Sequence, residues 1–65
     1  MLISEYYRTD GYQANVYMTE GNEPFIIYFD KNGQIIDSEK FPGKSMNYVQ
    51  DAAENYALGV KNDIG

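Results

Sequence analysis

Through the first two thirds of the chain, short apolar and aromatic runs are cut at Asp10-Gly11, Gly21-Asn22, Asn32-Gly33 and Pro42-Gly43, dipeptides that mark tight turns. This punctuation predicts four strands: Leu2 to Thr9, Tyr12 to Thr19, Pro24 to Phe29 and Gln34 to Phe41. After Pro42-Gly43 the period changes. Met46, Val49, Ala53, Tyr56 and Val60 recur at steps of three and four, the spacing of one helix face. Ser45 is suited to cap the start of this helix and Gly59 to end it in the left-handed conformation. Asn47, Gln50, Asp51, Glu54 and Asn55 then fall on its wet side, and the tail "KNDIG" is expected to fray. The predicted fold is α+β: a four-stranded antiparallel β-meander with one C-terminal α-helix packed on one face (ββββα), forming a single domain over residues 1–65.

Hairpin geometry extends this to the two faces of the sheet, because residues opposed across strands lie on the same side. With Asp10-Gly11 and Gly21-Asn22 as two-residue turns, Tyr7 opposes Ala14, Met18 opposes Phe25 and Val16 opposes Ile27. With Asp30 opening a type I turn and Gly33 left-handed, Phe29 pairs with Ile35 and Tyr28 with Ile36. One face then collects Ile3, Tyr7, Ala14, Val16, Met18, Phe25, Ile27, Phe29, Ile35 and Phe41, and the helix is expected to cover it. The other carries Tyr6, Tyr17, Ile26, Tyr28 and Ile36, rimmed by Ser4, Arg8, Asn15, Thr19, Ser38 and Lys40. A single helix cannot cover both. Glu5, Asp37 and Glu39 fall on the core side, on the two edge strands, where inward charge guards against strand addition; a register slip is the other explanation.

Composition narrows the chemistry. The 65 residues include no Cys and no His, which removes disulfides, thiolate or imidazole metal sites, and Ser-His or Cys-His nucleophiles. No cofactor is expected. No apolar run approaches the length needed to cross a bilayer, so a soluble, cytoplasmic protein without a membrane partner is expected. Ten acidic side chains against five basic ones give a net charge of −5, and Arg8, Lys31, Lys40, Lys44 and Lys61 do not cluster. Such a chain repels phosphate backbones, so nucleic acid is not an expected partner.

"YFDKNGQIIDSE", Tyr28 to Glu39, matches a calcium loop at Asp30, Asn32, Gly33, Ile35 and Glu39. Tyr28 occupies the position of the first acidic ligand, however, and the flanks are β-branched and aromatic rather than helical. Ordinary turn preferences explain Asp30, Asn32 and Gly33, so no metal site is expected. Asp37 and Glu39, two apart on one strand side, have the spacing of a carboxylate pair, but acid-base work needs a cleft. No catalytic residue is expected, and the protein is read as a non-enzyme.

Seven Tyr and three Phe are more aromatic area than a chain this small must bury. Tyr6, Tyr17, Ile26, Tyr28 and Ile36 together make a patch of the kind that marks an interface, Tyr offering rigid area and a water-tolerant hydroxyl. The same residues are also good strand formers that pack against one another across strands.

"FPGKSMNYVQDAAENYALGV", an aromatic-Pro exit from a sheet into an acidic helix ending in Gly-Val, resembles small uncharacterised acidic proteins encoded by bacterial viruses. The segment covers less than a third of the chain and carries no catalytic motif. The resemblance implies an accessory role on host or viral proteins and transfers no functional residue. The expected function is a small protein-binding module using its tyrosine-rich sheet face, for self-association as a homodimer or for another protein. The alternative is an acidic polyanion mimic that inhibits a basic or nucleic-acid-binding protein.

Overall fold

A computed structural model of the protein describes residues 1–59. Val60, expected on the helix face, and the tail 61–65 lie outside the described residues. Strands β1 (Leu2–Tyr7), β2 (Gln13–Met18), β3 (Pro24–Phe29) and β4 (Ile35–Lys40) form one antiparallel sheet in the order β1-β2-β3-β4, followed by helix α1 (Met46–Leu58). This is the ββββα architecture expected of the alternation.

The three hairpins are closed by one device used three times. Gly11, Asn22 and Gly33 have φ of 95°, 63° and 82°, each as the last residue of a three-residue loop. The N–H of each donates to a carbonyl three residues back, at Arg8, Thr19 and Asp30, over 2.9 to 3.0 Å. Arg8, Thr19 and Asp30 in turn donate their own N–H groups to the carbonyls of Tyr12, Glu23 and Gln34. A type I turn followed by a left-handed residue has this pattern. Side-chain oxygens satisfy the amide that follows each left-handed residue: Asp10 Oδ1 accepts from Tyr12, Thr19 Oγ1 from Glu23 and Asp30 Oδ1 from Gln34. Asp30 Oδ1 also accepts from the Asn32 amide at 2.9 Å, so this carboxylate serves the turn as the hairpin reading expects.

The third hairpin pairs Phe29 with Ile35 as predicted, but the first two correct the expected register. Tyr6 rather than Tyr7 opposes Ala14, Pro24 rather than Phe25 opposes Met18, and Ile26 rather than Ile27 opposes Val16. A three-residue loop where two residues were assumed slips the pairing by one, and in a strand of period two a slip of one exchanges the faces. Both edge strands also carry an irregularity. Ile3 is an extra residue in β1 between Leu2 and Ser4, and Ile36 is an extra residue in β4, so Tyr28 faces Asp37 rather than Ile36.

The helix lies across β1, β2 and β3 and does not reach β4, every residue of which is exposed. Its Val49 and Ala53 join Ala14, Val16, Ile26 and Phe41 in the buried core. The alanines on both sides leave room for the helix to lie close to the sheet. Ser45 caps the start, its hydroxyl accepting from the Tyr48 amide at 3.1 Å, and Gly59 at φ 78° ends the helix as expected. Pro42-Gly43 makes the exit from β4, with the Lys44 amide bonded to the Phe41 carbonyl and Gly43 at φ 77°, the conformations of a type II turn. Gln50, expected on the wet side, is instead half-buried. Its Oε1 accepts from both Ser4 Oγ and Tyr6 OH at 2.8 Å, tying the helix to the edge strand.

The turn geometry carries a test. A Cβ at Gly11 would come within 3.0 Å of the Lys31 Cβ in the neighbouring turn, whereas one at Gly33 meets open space. Left-handed strain alone costs about 1–2 kcal/mol for an ordinary L residue. Urea unfolding is therefore expected to show a loss of that order for Gly33→Ala and a larger one for Gly11→Ala. Equal losses would contradict the packing of one hairpin tip on the next.

Candidate functional site

With the register corrected, the five residues expected on the open face separate. Ile26 is fully buried under the helix, at 0 % exposure. Tyr6 and Tyr28 also turn to the helix side, Tyr6 bonding Gln50 and Tyr28 packing on Tyr56 with ring centres 4.7 Å apart. Ile36 is the extra residue of β4 and is exposed. Tyr17 alone among the five lies on the uncovered face by register. Of the expected rim, Asn15, Ser38 and Lys40 are on that face, opposed to Ile27 and Phe25. Ser4 faces Gln50, Thr19 closes a turn, and Arg8 lies beneath Tyr56.

The residues found there instead are ones the sequence places in the core: Tyr7, Phe25, Ile27, Phe29 and Ile35. Tyr7 at 62 % and Ile35 at 64 % exposure are plainly outside. Glu5, also expected on the core side, opposes Asn15 on the open face. Asp37 and Glu39 do lie on the helix side, opposed to Tyr28 and Ile26, but beyond the reach of the helix and therefore in solvent.

The open face can be described in rows. Tyr17 and Phe25 stack in the first, rings 5.3 Å apart and 15° from parallel, with Lys40 beside Phe25 on β4. In the middle row Glu5, Asn15, Ile27 and Ser38 run from edge to edge. Tyr7, Gln13, Phe29 and Ile35 make the third row. A polar ladder runs down β2. Gln13 Nε2 donates to Asn15 Oδ1 at 2.7 Å, and Asn15 Nδ2 donates to Tyr17 OH at 3.3 Å. Asn15, only 7 % exposed, is thus satisfied on both ends of its amide without help from water. Beside it Phe25, Ile27 and Phe29 are half-buried along β3, with no layer over them among the described residues. Tyr7 OH donates to Glu5 Oε1 at 2.6 Å, and this bond to a carboxylate raises the phenol above its ordinary pKa.

The Arg8 guanidinium sits 5.0 Å from the Tyr12 ring centre and 4.7 Å from that of Tyr56, a double cation-π contact. It also bonds Asp10, which lowers that carboxyl's pKa and raises that of Arg8. Tyr28 OH donates to Glu39 Oε1 at 3.0 Å. Two hollows lie at the end of the sheet near the β2–β3 turn. One, of about 110 Å³, is lined by Thr19, Pro24, Phe25 and Lys40 among others, and the second, wider and open, of about 520 Å³, by Met1, Met18 and Phe25 among others. Neither contains Asp37 or Glu39, the carboxylate pair considered for acid-base chemistry. Among the described residues no three acidic side chains converge as a metal site would require, and no helix is long and apolar enough to cross a membrane.

No family model, no curated protein and no solved structure matches the chain.

Tyr28 generates a pH prediction. Burial, then the bond to Glu39, raise its pKa well above the usual phenol value of about 10. A raised folded-state pKa means that the stabilisation is complete below the unfolded value and is lost as pH rises above it. Urea unfolding of the wild type is expected to weaken from pH 9 to pH 11 by more than that of Tyr28→Phe, which has no proton to lose. Parallel declines would show that the Tyr28 phenol is not held neutral by the fold.

Proposed function

We propose that this is a non-enzymatic protein-binding module that works through its open sheet face, with Tyr17, Phe25, Ile27 and Phe29 as the contact surface, and that it acts as a cytoplasmic accessory protein. One observation carries this reading. β3, "PFIIYF", is apolar at every position, the pattern of a strand covered on both sides, yet the single helix covers only Ile26 and Tyr28. Phe25, Ile27 and Phe29, on the strand's other side, form the centre of a face on which Glu5 and Lys40 are the charged groups among the described residues, one on each edge strand. An apolar centre with a polar rim is the composition of an interface core.

The polyanion alternative draws less support from the same structure. Several carboxylates have internal roles: Asp10 pairs with Arg8, Asp30 caps a turn, and Glu39 accepts from Tyr28. None of these is free to imitate a phosphate.

Ile27→Asp sets a charge at the centre of the open face without touching the core. Binding of any protein partner, another copy included, is expected to weaken at least about thirtyfold, the scale of a lost interface anchor, while circular dichroism stays that of the folded protein. Capture by the immobilised variant and its sedimentation are the measurements. Undiminished binding by Ile27→Asp, together with loss of binding by Asp51→Lys with Glu54→Lys, would overturn this function and favour the acidic one.

A further inference from the structure

Resting on the open face as the binding surface, we infer that its occupant is a second copy of this chain, packed sheet to sheet about a two-fold axis that runs along the strands.

Four observations select this partner and this geometry. The first is the outline of the surface. The body measures 32 × 25 × 16 Å with 4419 Å² of accessible surface, so its broad open side contributes roughly a quarter, about 1,000 Å². A stable complex buries about 800 Å² from each partner. The face is large enough for one sheet of its own size.

The second is the state of the edges. Ile3 and Ile36 interrupt β1 and β4 with an extra residue each, and β4 adds Asp37, Glu39 and Lys40. Bulges and charges on both outer strands oppose joining two sheets edge to edge. Face-to-face packing uses neither edge.

The third is the small core. Among the described residues six apolar side chains are buried, two of them alanines, and the chain has no Cys or His for a disulfide or an imidazole-bound metal. Domains of this size commonly draw their remaining stability from such staples or from oligomerisation.

The fourth is charge placement, and it fixes the axis. Glu5 lies on β1 and Lys40 on β4, at opposite sides of the same face. A two-fold axis in the interface and across the strands would set β1 on β1 and bring Glu5 against its own copy. An axis along the strands sets β1 of one copy over β4 of the other. Glu5 then lies one row from the other copy's Lys40, within reach of a lysine's flexible four-carbon stem, at both symmetric ends. Asn15, already bonded by Gln13 and Tyr17, enters the interface with its amide satisfied and opposes the apolar β3 of the other copy at little cost.

The test is sedimentation equilibrium of the full chain at moderate salt, where the charge of −5 on each copy is screened. The wild type is expected to be a dimer. Glu5→Lys and Lys40→Glu should each weaken it roughly tenfold, since every substitution disrupts two symmetric pairs. The doubly swapped chain carrying both should recover the wild-type dissociation constant within about threefold. An equimolar mixture of the two single variants should form heterodimers in preference to either homodimer. These exposed side chains lie outside the core, so the variants remain informative even where Ile27→Asp does not fold. A dimer indifferent to the swap would overturn the face-to-face geometry. A monomer at every concentration that still binds a foreign protein, with that binding lost in Ile27→Asp, would overturn self-association and leave the binding face intact. A monomer with no Ile27-dependent binding would overturn both.

Discussion

Everything in this fold depends on one backbone requirement, a left-handed residue at positions 11, 22 and 33. Gly meets it without strain and Asn with little, and each occurrence closes a three-residue loop whose hydrogen bonds admit only one register. The registers decide which side of every strand faces the helix. Ala14, Val16 and Ile26 form the core and Phe25, Ile27 and Phe29 the open face because the loops hold three residues rather than two. A change of one residue in a turn would exchange the surfaces.

The second constraint is supply. The helix of 13 residues spans three strands of four, so among the described residues β4 stays exposed and the far face of β3 receives no cover. The structure spends polar groups at this boundary in a consistent way. Tyr6, Ser4 and Gln50 fasten the helix to β1; Tyr28 and Tyr56 form an aromatic border toward β4, with the Arg8 guanidinium over the Tyr56 ring; Asp37 and Glu39 occupy the uncovered part. On the other side the ladder Gln13, Asn15 and Tyr17 bonds both ends of the buried Asn15 amide, which lets that polar group sit within an apolar surface.

Much of the architecture was legible in the sequence. Turn dipeptides separated the four strands, Ser45 and Gly59 bounded the helix, and Val49 and Ala53 marked its buried side. The faces were not, because Asp10-Gly11 and Gly21-Asn22 fit either a two-residue or a three-residue loop, and the dipeptide does not say which of its residues takes the positive φ. Thr19 and Asp30, each able to cap the loop that follows, are the signals the sequence carries for the longer loop. The edge irregularities at Ile3 and Ile36 had no signal of their own. Gln50 was misplaced because helix periodicity separates polar from apolar residues and has no means of recognising an amide that reaches two hydroxyls. The uniformly apolar β3 was the most informative stretch for function. Either register leaves one side of it uncovered, Ile26 and Tyr28 in one and Phe25, Ile27 and Phe29 in the other, so an apolar open face follows from the strand whichever set is outside.

The central claim is that Ile26 faces the helix and Ile27 faces away. The most direct measurement is the set of nuclear Overhauser contacts made by the Ala53 and Val49 methyl groups in isotope-labelled protein. The expected result is strong contacts to Ile26, Val16 and Ala14, with none to Ile27 or Phe25. Contacts from Ala53 to Ile27 and Phe25 instead would mean that the hairpins close on two-residue turns, that Tyr6, Ile26 and Tyr28 form the open face, and that the binding surface described here is the core.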